Sequence, residues 1–247
     1  MKLTKCKKWV VWDVSLQSYP KGGITVRRVL EPELMDERQQ AEAYAASDFT
    51  EPHDAFVRRF SEAFPGFSDG HVADLCCGPA DPTIRFARRY PNAYIVGYDG
   101  AESMLALGRK AVESAGLSNR IWLRCEMLPI SAAPEGVHFT AIMCNGSMHH
   151  LQHSGILWQS VKNIGSRGTV VFVVDLTRPS TVDDAEMMVQ QCTKPTDPAL
   201  MKRDFYNSLL AAFRPEEVRV DLDAAGLGHF RVEVVTHRHM MIYGRLP

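Results

Sequence analysis

The chain has 247 residues, of which 45% are hydrophobic, so it can bury a complete core, and we expect one large domain with appendages. Its formal net charge of −1 and pI near 6.8 provide no general attraction to phosphate backbones, which argues against a nucleic-acid substrate. No apolar run reaches the roughly 18 residues of a membrane helix, and the short apolar run near the start, which Asp13 interrupts, does not fit a secretory signal.

The six cysteines, at positions 6, 76, 77, 125, 144 and 192, have neither the spacing of a disulfide framework nor a zinc-binding C-x-x-C pair. Most of them are expected to be small buried hydrophobic residues. This usage favours a reducing, cytoplasmic setting.

The first 69 residues are predicted to form a cap with its own pattern. Two β-like runs, Lys8–Leu16 and Gly23–Val29, flank a Pro-Lys-Gly-Gly turn and predict a hairpin. Two helices are expected next, at Glu37–Ser47 and Glu51–Phe64. Because an isolated hairpin is marginal in water, this one must dock on its own domain or on another subunit, so we expect a monomer or a homodimer formed through it.

Strand-like and helix-like segments alternate from about residue 70, which is the pattern of a doubly wound, mostly parallel α/β sheet. Five strands are expected in this part: Val72–Asp74, Ala93–Tyr98, Arg120–Cys125, Phe139–Cys144 and Thr169–Val174. Helices are expected at Pro82–Tyr90, at Ala101–Ala115, at Leu151–Asn163 and from Pro215.

The C-terminal part of the chain predicts two additions to this sheet. The β-like runs Arg231–Thr236 and His239–Tyr243 are separated by only a few residues, which predicts an antiparallel hairpin and brings the sheet to seven strands. Residues 178–214 form an insertion after the fifth strand, with a helix expected at Pro198–Phe213. Because ligands bind at the carboxyl edge of such a sheet, we interpret the insertion as part of a substrate lid. Residues 70–247 are then one cofactor-binding, Rossmann-like domain.

The most informative segment is the turn after the first strand, VADLCCGPAD at residues 72–81. The helix after this turn leads to a second strand that ends in Asp99, as in the half-site for an adenosine-type cofactor. A dinucleotide site needs three glycines to bring backbone to a pyrophosphate, whereas only Gly78 stands in this turn. One glycine and an acid, Asp74, suit a ligand that has no phosphates but has a positively charged amino-acid end. S-adenosylmethionine (SAM) is such a ligand.

The chain resembles the class I SAM-dependent methyltransferases over about residues 70–177 and, more weakly, in its closing helix and hairpin. The segments VADLCCGPA (72–80), YDGAESM (98–104) and AIMCNGSMHHL (141–151) match the first, second and fourth motifs of that family. Cys76 and Ala80 replace glycines of the usual first motif. Alanine is a mild change where no phosphate must be approached, and Cys76 indicates a backbone that does not need a positive φ there.

The resemblance implies a set of cofactor contacts. Asp99 is expected to accept hydrogen bonds from both ribose hydroxyls, although an acid at this position could instead cap the next helix. Asp74 would orient the turn or the ammonium group of the cofactor, and Met104 would stack on adenine or belong to the core. The cofactor-binding candidates are Asp74, Cys76, Cys77, Gly78, Asp99, Gly100, Met104, Cys125, Glu126 and Asn145, with the backbone at Cys125 preferred over Glu126 for adenine.

The catalytic candidates are Asn145, His149 and Tyr44. Asn145 ends the fourth strand, where its amide could bind the cofactor or position a substrate atom, and Tyr44 is expected to close over the cofactor. His149 and His150 follow, and one could be a general base, or both could be structural. Together with His153 they resemble a metal cluster, but because no carboxylate supports them we expect no metal.

Substrate contacts are expected in the variable parts of the chain, because methyl transfer mainly requires an aligned nucleophile and exclusion of water. Arg178 and Arg203 could together bind a substrate carboxylate, although Arg203 and Asp204 could equally form a surface pair. The substrate candidates are Phe49, His53, Asp175, Arg178, Arg203 and Tyr206.

The sequence therefore predicts a SAM-dependent methyltransferase that acts on a small molecule by in-line displacement at the sulfonium methyl. The Asn-Pro-Pro-Tyr signature of amide-nitrogen and base methylation is absent, as is a basic stripe. One alternative is a SAM-dependent cyclase that closes the amino-acid part of the cofactor into an azetidine ring and releases methylthioadenosine. The others are a catalytically silent SAM-binding protein and an NAD-linked dehydrogenase.

Overall fold

The computed structural model describes residues 26–31, 36–45 and 48–247. The predicted N-terminal hairpin lies mostly outside these ranges. Residues 26–29, which belong to its second predicted strand, are described and form no strand.

Seven strands form one sheet in the order β3-β2-β1-β4-β5-β7-β6. The first five are parallel, and β7 pairs antiparallel with both β5 and β6. The predicted fold class and its C-terminal antiparallel hairpin are thus confirmed. The strands are β1 (Asp69–Leu75), β2 (Asn92–Asp99), β3 (Ile121–Cys125), β4 (Phe139–Asn145), β5 (Val170–Leu176), β6 (Arg231–Thr236) and β7 (His239–Arg245).

Eight helices are seen in the described residues, together with one 3₁₀ turn at Met148–His150. Helix α6 was not predicted, although Thr181 and Asp184 form a capping box at its start, with both hydrogen bonds at 3.1 Å. The helices are α1 (Arg38–Ala45), α2 (Thr50–Ala63), α3 (Asp81–Arg89), α4 (Glu102–Ser114), α5 (Gly155–Ile164), α6 (Val182–Cys192), α7 (Ala199–Ala211) and α8 (Pro215–Ala224). None of them is long and apolar enough to cross a membrane.

The core has two layers because neighbouring residues of each strand face opposite sides of the sheet. Ala73 packs with Trp158 and Phe230 on one side, and Val72 packs with aromatic side chains on the other. On that second side, Phe60 of α2 makes an edge-to-face contact with Phe172 of β5, with 5.4 Å between the ring centroids. Helix α2 thus packs directly on the sheet as part of this core layer.

A short extended segment, residues 26–31, fastens the insertion to the body of the protein; we refer to it as the strap. The backbone N–H groups of Val26 and Val29 donate to the carbonyl oxygens of Ser180 and Leu210, both at 3.1 Å. The strap therefore holds both ends of the insertion, before α6 and within α7.

Arg28 of the strap makes the most extensive of these contacts. Its guanidinium donates to the carbonyl oxygens of Ala211, Gln152 and Leu151, each at 2.6 Å. The same group lies 3.7 Å from the ring centroid of Phe213, a cation–π contact. Arg28 thereby joins the insertion to the segment after β4, which leads into the candidate site.

Candidate active site

A pocket of about 450 Å³ lies at the carboxyl ends of β1, β2 and β4. This is the position at which open α/β sheets bind ligands. The structure brings eleven of the predicted site residues together in its lining: Tyr44, Phe49, His53, Cys76, Cys77, Gly78, Asp99, Gly100, Met104, Glu126 and Asn145.

Asp99 presents its carboxylate to this pocket from the end of β2. Oδ2 accepts a hydrogen bond from the backbone N–H of Gly78, and Oδ1 accepts one from the N–H of Ala101, both at 2.8 Å. Burial raises the pKa of Asp99, while these two N–H groups oppose the rise. Each oxygen keeps a further lone pair, so the carboxylate can still accept from two adjacent hydroxyl groups.

The turn between β1 and α3 adopts left-handed backbone at three positions. Cys76, Gly78 and Ala80 have φ values of 58°, 52° and 66°. The prediction that Cys76 avoids a positive φ was therefore wrong. The turn keeps the conformation of a glycine-rich loop, because Cys77 N–H must reach the Tyr98 carbonyl oxygen, at 2.9 Å, at the end of the neighbouring strand. Two non-glycine residues carry the strain of that geometry.

Asp74 lies behind the turn and outside the pocket lining. Its carboxylate is buried, and Oδ2 accepts a hydrogen bond from the Thr83 hydroxyl at 2.5 Å. Burial raises the pKa of Asp74 to about 7, although the Thr83 hydrogen bond opposes the rise. Of the two roles considered for Asp74, this contact supports positioning of the turn, since it joins β1 to the first turns of α3.

Another part of the pocket lining is formed by Met104 and the segment after β3. Met104 is buried against Ala41 and partly buried Tyr44, and it also lines the pocket. Glu126 lines the pocket, whereas the side chain of Cys125 is exposed and does not. The backbone N–H of Glu126 donates to the Asp99 carbonyl oxygen at 2.9 Å, so the segment after β3 is fixed to the strand that carries Asp99.

Three aromatic rings cover the pocket: Tyr44 of α1, Phe49 directly before α2, and His53 of α2. The ring centroids of Tyr44 and Phe49 are 4.9 Å apart, and those of Phe49 and His53 are 5.5 Å apart. Burial raises the pKa of Tyr44 to about 12, so its hydroxyl keeps its proton at neutral pH. This cover thus brings one phenol and one imidazole to the pocket.

His53 has a partner that the sequence analysis missed. Its Nδ1 lies 2.6 Å from Oδ2 of Asp81, the first residue of α3, which also lines the pocket. Arg85 pairs with the same carboxylate at 2.8 Å and with Asp54 at 2.6 Å. The sequence signal for Asp81 was its place as an acid at the start of the helix after the turn, because acids are favoured at the N-terminal end of the helix dipole.

His149 is buried and points away from the pocket lining, which His150 joins instead. Nδ1 of His149 lies 2.6 Å from Asp175 Oδ1, and its backbone N–H donates to Asp175 Oδ2 at 2.8 Å. Burial lowers the pKa of His149, but the Asp175 carboxylate more than offsets this and the net pKa is raised. The structure thus pairs His149, a predicted base, with Asp175, a predicted substrate residue, and neither residue lines the pocket.

The remaining substrate candidates also lie outside the pocket lining. Arg178 is buried and pairs with Glu217 at 2.5 Å, and it donates to the Ala212 carbonyl oxygen at 2.9 Å. Arg203 is exposed beside Asp204, at 3.5 Å, and Tyr206 belongs to the same helix, α7. Arg178 thus supports the insertion from inside, and the surface pair considered for Arg203 is present.

Comparison with known proteins agrees with this geometry. Residues 72–164 match a family described as a methyltransferase domain. Demethylmenaquinone methyltransferase of Lactiplantibacillus plantarum is 38% identical over 58 residues, which is 23% of this chain and 24% of that protein. Trans-aconitate 2-methyltransferase of Delftia acidovorans is 34% identical over 71 residues, 29% of this chain and 26% of that protein. The chain thus matches about a quarter of the length of these relatives.

Solved structures extend the likeness to most of the fold. A SAM-dependent methyltransferase from Aquifex aeolicus superposes with a TM-score of 0.58 at 15% identity, over 84% of this chain and 97% of that one. The plantazolicin methyltransferase BpumL, solved with a substrate analogue and S-adenosylhomocysteine (SAH), gives a TM-score of 0.60 at 11% identity, over 84% and 92%. The fold is that of the class I methyltransferases. Residues 72–164, which include the three predicted motifs, thus match a methyltransferase domain.

Proposed function

We propose that this protein is an enzyme that transfers a methyl group from SAM to a small-molecule acceptor. The observation that carries the proposal is the Asp99 carboxylate, held by the N–H groups of Gly78 and Ala101 and directed into the pocket. An ionised carboxylate is costly to bury without partners. A ribose diol supplies two hydroxyl donors, one for each oxygen, and so matches the acceptor capacity that remains.

The rest of the cofactor would follow from this anchor. Adenine would extend from the ribose toward Met104 and Glu126, which line the same wall. The methionyl end would lie beside the turn at Cys77 and Gly78, and Asn145 would present its amide from the end of β4. The sulfonium would then lie under the aromatic cover that Tyr44, Phe49 and His53 form.

Transfer then requires an acceptor atom in line with the methyl–sulfur bond. The acceptor–carbon bond forms as the sulfur–carbon bond breaks, and the electron pair of that bond remains on sulfur, which leaves SAH. A hydroxyl acceptor must also lose a proton. His53 and His150 are the two imidazoles among the described residues of the lining, and either could take that proton directly or through a water molecule.

The lining favours an acceptor that is largely apolar. Its remaining wall includes Phe49, Leu128, Leu151 and Ile156. Among the described residues of the lining, the one arginine is Arg85, which is already paired with two aspartates. A polycarboxylate would therefore find no uncommitted guanidinium there, and we expect a hydroxylated apolar or aromatic molecule instead.

The test is product analysis with the full-length protein. We would incubate it with SAM and a panel of phenolic, quinol and aliphatic hydroxyl acceptors, and identify the nucleoside product by mass spectrometry. SAH formed together with a product heavier by one methylene supports the proposal. Methylthioadenosine would indicate the azetidine-forming reaction instead, and tight SAM binding without turnover across the panel would indicate a silent binding protein.

A further inference from the structure

Three potential metal ligands converge beside the pocket: the Glu31 carboxylate, His149 Nε2 and His150 Nδ1, all within 4.8 Å of one another. Glu31 Oε1 lies 3.6 Å from His149 Nε2 and 3.1 Å from His150 Nδ1. The side chains are 12%, 5% and 18% exposed, so water screens these groups poorly. The strap thus supplies the carboxylate that the sequence analysis required for a metal site near these histidines and did not find.

The polar atoms in this cluster are incompletely satisfied. His149 Nδ1 faces Asp175 at 2.6 Å, and if it carries the ring proton, the lone pair of Nε2 points toward the Glu31 carboxylate. His150 Nδ1 is buried and makes no hydrogen bond among the described residues, despite its 3.1 Å separation from Glu31 Oε1. Two imidazole nitrogens and a carboxylate that converge on one point require a proton or a cation between them.

We propose that Glu31, His149 and His150 bind one divalent transition-metal ion, of which Zn²⁺ is the first candidate. Two imidazoles and one carboxylate are a ligand set that such ions accept, with positions left open. Metal–ligand bonds of about 2.0–2.2 Å place neighbouring donor atoms roughly 3.0–3.6 Å apart. The two separations from Glu31, 3.1 and 3.6 Å, already lie in that range.

The surroundings of the three ligands also fit a metal ion. A histidine ligand commonly donates its other ring N–H to a carboxylate, and His149 Nδ1 lies 2.6 Å from Asp175 Oδ1, where it can do so. The Ser208 hydroxyl donates to Glu31 Oε1 at 3.0 Å and orients that carboxylate from α7. Arg28 donates to the His149 carbonyl oxygen at 3.0 Å, and its positive charge opposes a cation nearby. The negative charges of Glu31 and Asp175 offset that opposition.

This site would act on the acceptor, an inference that rests on the proposed function. His150 belongs to the pocket lining, so an ion bound by this residue would lie beside the space in which the acceptor would lie. A metal ion that binds a hydroxyl oxygen lowers the pKa of that hydroxyl, as it does for bound water. The acceptor class would then be an oxygen nucleophile that gives up its proton on binding, and the proton would pass to His53 of the lining or to water.

Metal binding can be tested without SAM or an acceptor, so its failure and the failure of methyl transfer are distinguishable. The full-length protein, treated with a chelator and dialysed, is titrated with ZnCl₂ by calorimetry and with CoCl₂ by absorption spectroscopy. We expect one Zn²⁺ per chain at micromolar or lower dissociation constant, and cobalt d–d bands without the intense thiolate charge-transfer band that the cysteines would produce.

Matched variants locate the site. Glu31→Gln and His150→Gln are each expected to weaken Zn²⁺ binding at least tenfold, because each removes one of the three ligands. Loss of a residue that merely orients a ligand already costs about 10- to 100-fold in metal affinity. His153→Gln, an exposed histidine three positions from His150, should bind as the parent does. Circular dichroism verifies that each variant is folded. A parent that binds no Zn²⁺ at 100-fold excess, or that binds equally well after both Glu31→Gln and His150→Gln, would overturn the proposal.

Discussion

The backbone N–H of Gly78 donates to Asp99 Oδ2 at 2.8 Å, which joins the turn after β1 to the end of β2. This one bond fixes the two halves of the candidate site relative to each other, because in the proposed binding mode the turn would face the methionyl end and Asp99 would face the ribose. The same strand, β2, also accounts for the left-handed backbone at Cys76 and Ala80, because Cys77 N–H must reach its Tyr98 carbonyl oxygen. The geometry of the turn is set by its neighbour strand as well as by its own sequence.

The strain at Cys76 predicts opposite effects of two substitutions. Cys76→Gly removes a side chain from left-handed backbone and should change the free energy of unfolding by between zero and about +1 kcal/mol, since the relief of strain is partly offset by glycine entropy. Cys76→Val should lower it by about 2 kcal/mol or more, because a β-branched side chain fits this region worst. Urea unfolding measures both. Equal stability of the glycine and valine variants would contradict the assignment of strain.

Asp74 predicts a pH dependence of stability. Its folded pKa, about 7, lies above the ordinary value of 3.8, so the folded state holds the proton more tightly than the unfolded state. The stabilising contribution of Asp74 to folding is therefore fully present below about pH 4 and is lost as the pH rises to about 7. Each unit of difference between the folded and unfolded pKa corresponds to about 1.4 kcal/mol in the free energy of unfolding. Asp74→Asn should remove this decline.

The comparison is urea unfolding of the parent and Asp74→Asn at several pH values from 4 to 8. We expect the stability difference between the two to grow in favour of the asparagine variant as the pH rises. A constant difference across that range would show that the Asp74 carboxylate does not titrate there.

Arg28 predicts the behaviour of the insertion. Arg28→Lys keeps the positive charge but loses the guanidinium hydrogen bonds to the carbonyl oxygens of Ala211, Gln152 and Leu151. The free energy of unfolding should therefore fall by about 1–3 kcal/mol. Amide hydrogen exchange should speed up in α7 in particular. Arg27→Lys, at an exposed neighbour, is the matched control. Unchanged exchange in α7 would show that the strap does not hold the insertion.

Asn145 predicts a loss of turnover without a loss of stability. Asn145→Ala should reduce kcat for an identified acceptor at least tenfold, because Asn145 lines the pocket and would stand at its reacting end in the proposed binding mode. The free energy of unfolding should change by less than about 1 kcal/mol, since the residue is half-buried at the end of its strand. A parental kcat would remove Asn145 from the reacting site.

Local patterns in the sequence were enough to predict the sheet and eleven of the residues that line the pocket. The apolar run of β5 is buried at every position and reads directly as a central strand, and Asp99 follows from its place at a strand end. Other features depend on contacts between distant residues. The φ of Cys76 is set by the strand that Cys77 must reach, and Glu31 meets the histidines only because the strap crosses the insertion.

The prediction for the base shows the same limit. His149 and His150 are adjacent, and no periodicity distinguishes which ring faces the pocket. The 3₁₀ turn that contains them settles it, by directing His149 toward Asp175 and leaving His150 in the lining. A sequence signal for Asp175 existed, since an acid in a continuous apolar strand needs a buried partner.

The central claim is that Asp99 binds the ribose of SAM, and calorimetric titration of SAH tests it most directly. Asp99→Ala should weaken binding about 100-fold or more, as expected for the loss of two hydrogen bonds to a charged group. Asp69→Ala, an exposed acid at the opposite end of the sheet, should bind as the parent does. An analogue without the ribose hydroxyls should lose affinity for the parent and much less for Asp99→Ala. Parental affinity of a folded Asp99→Ala protein for SAH would contradict the account.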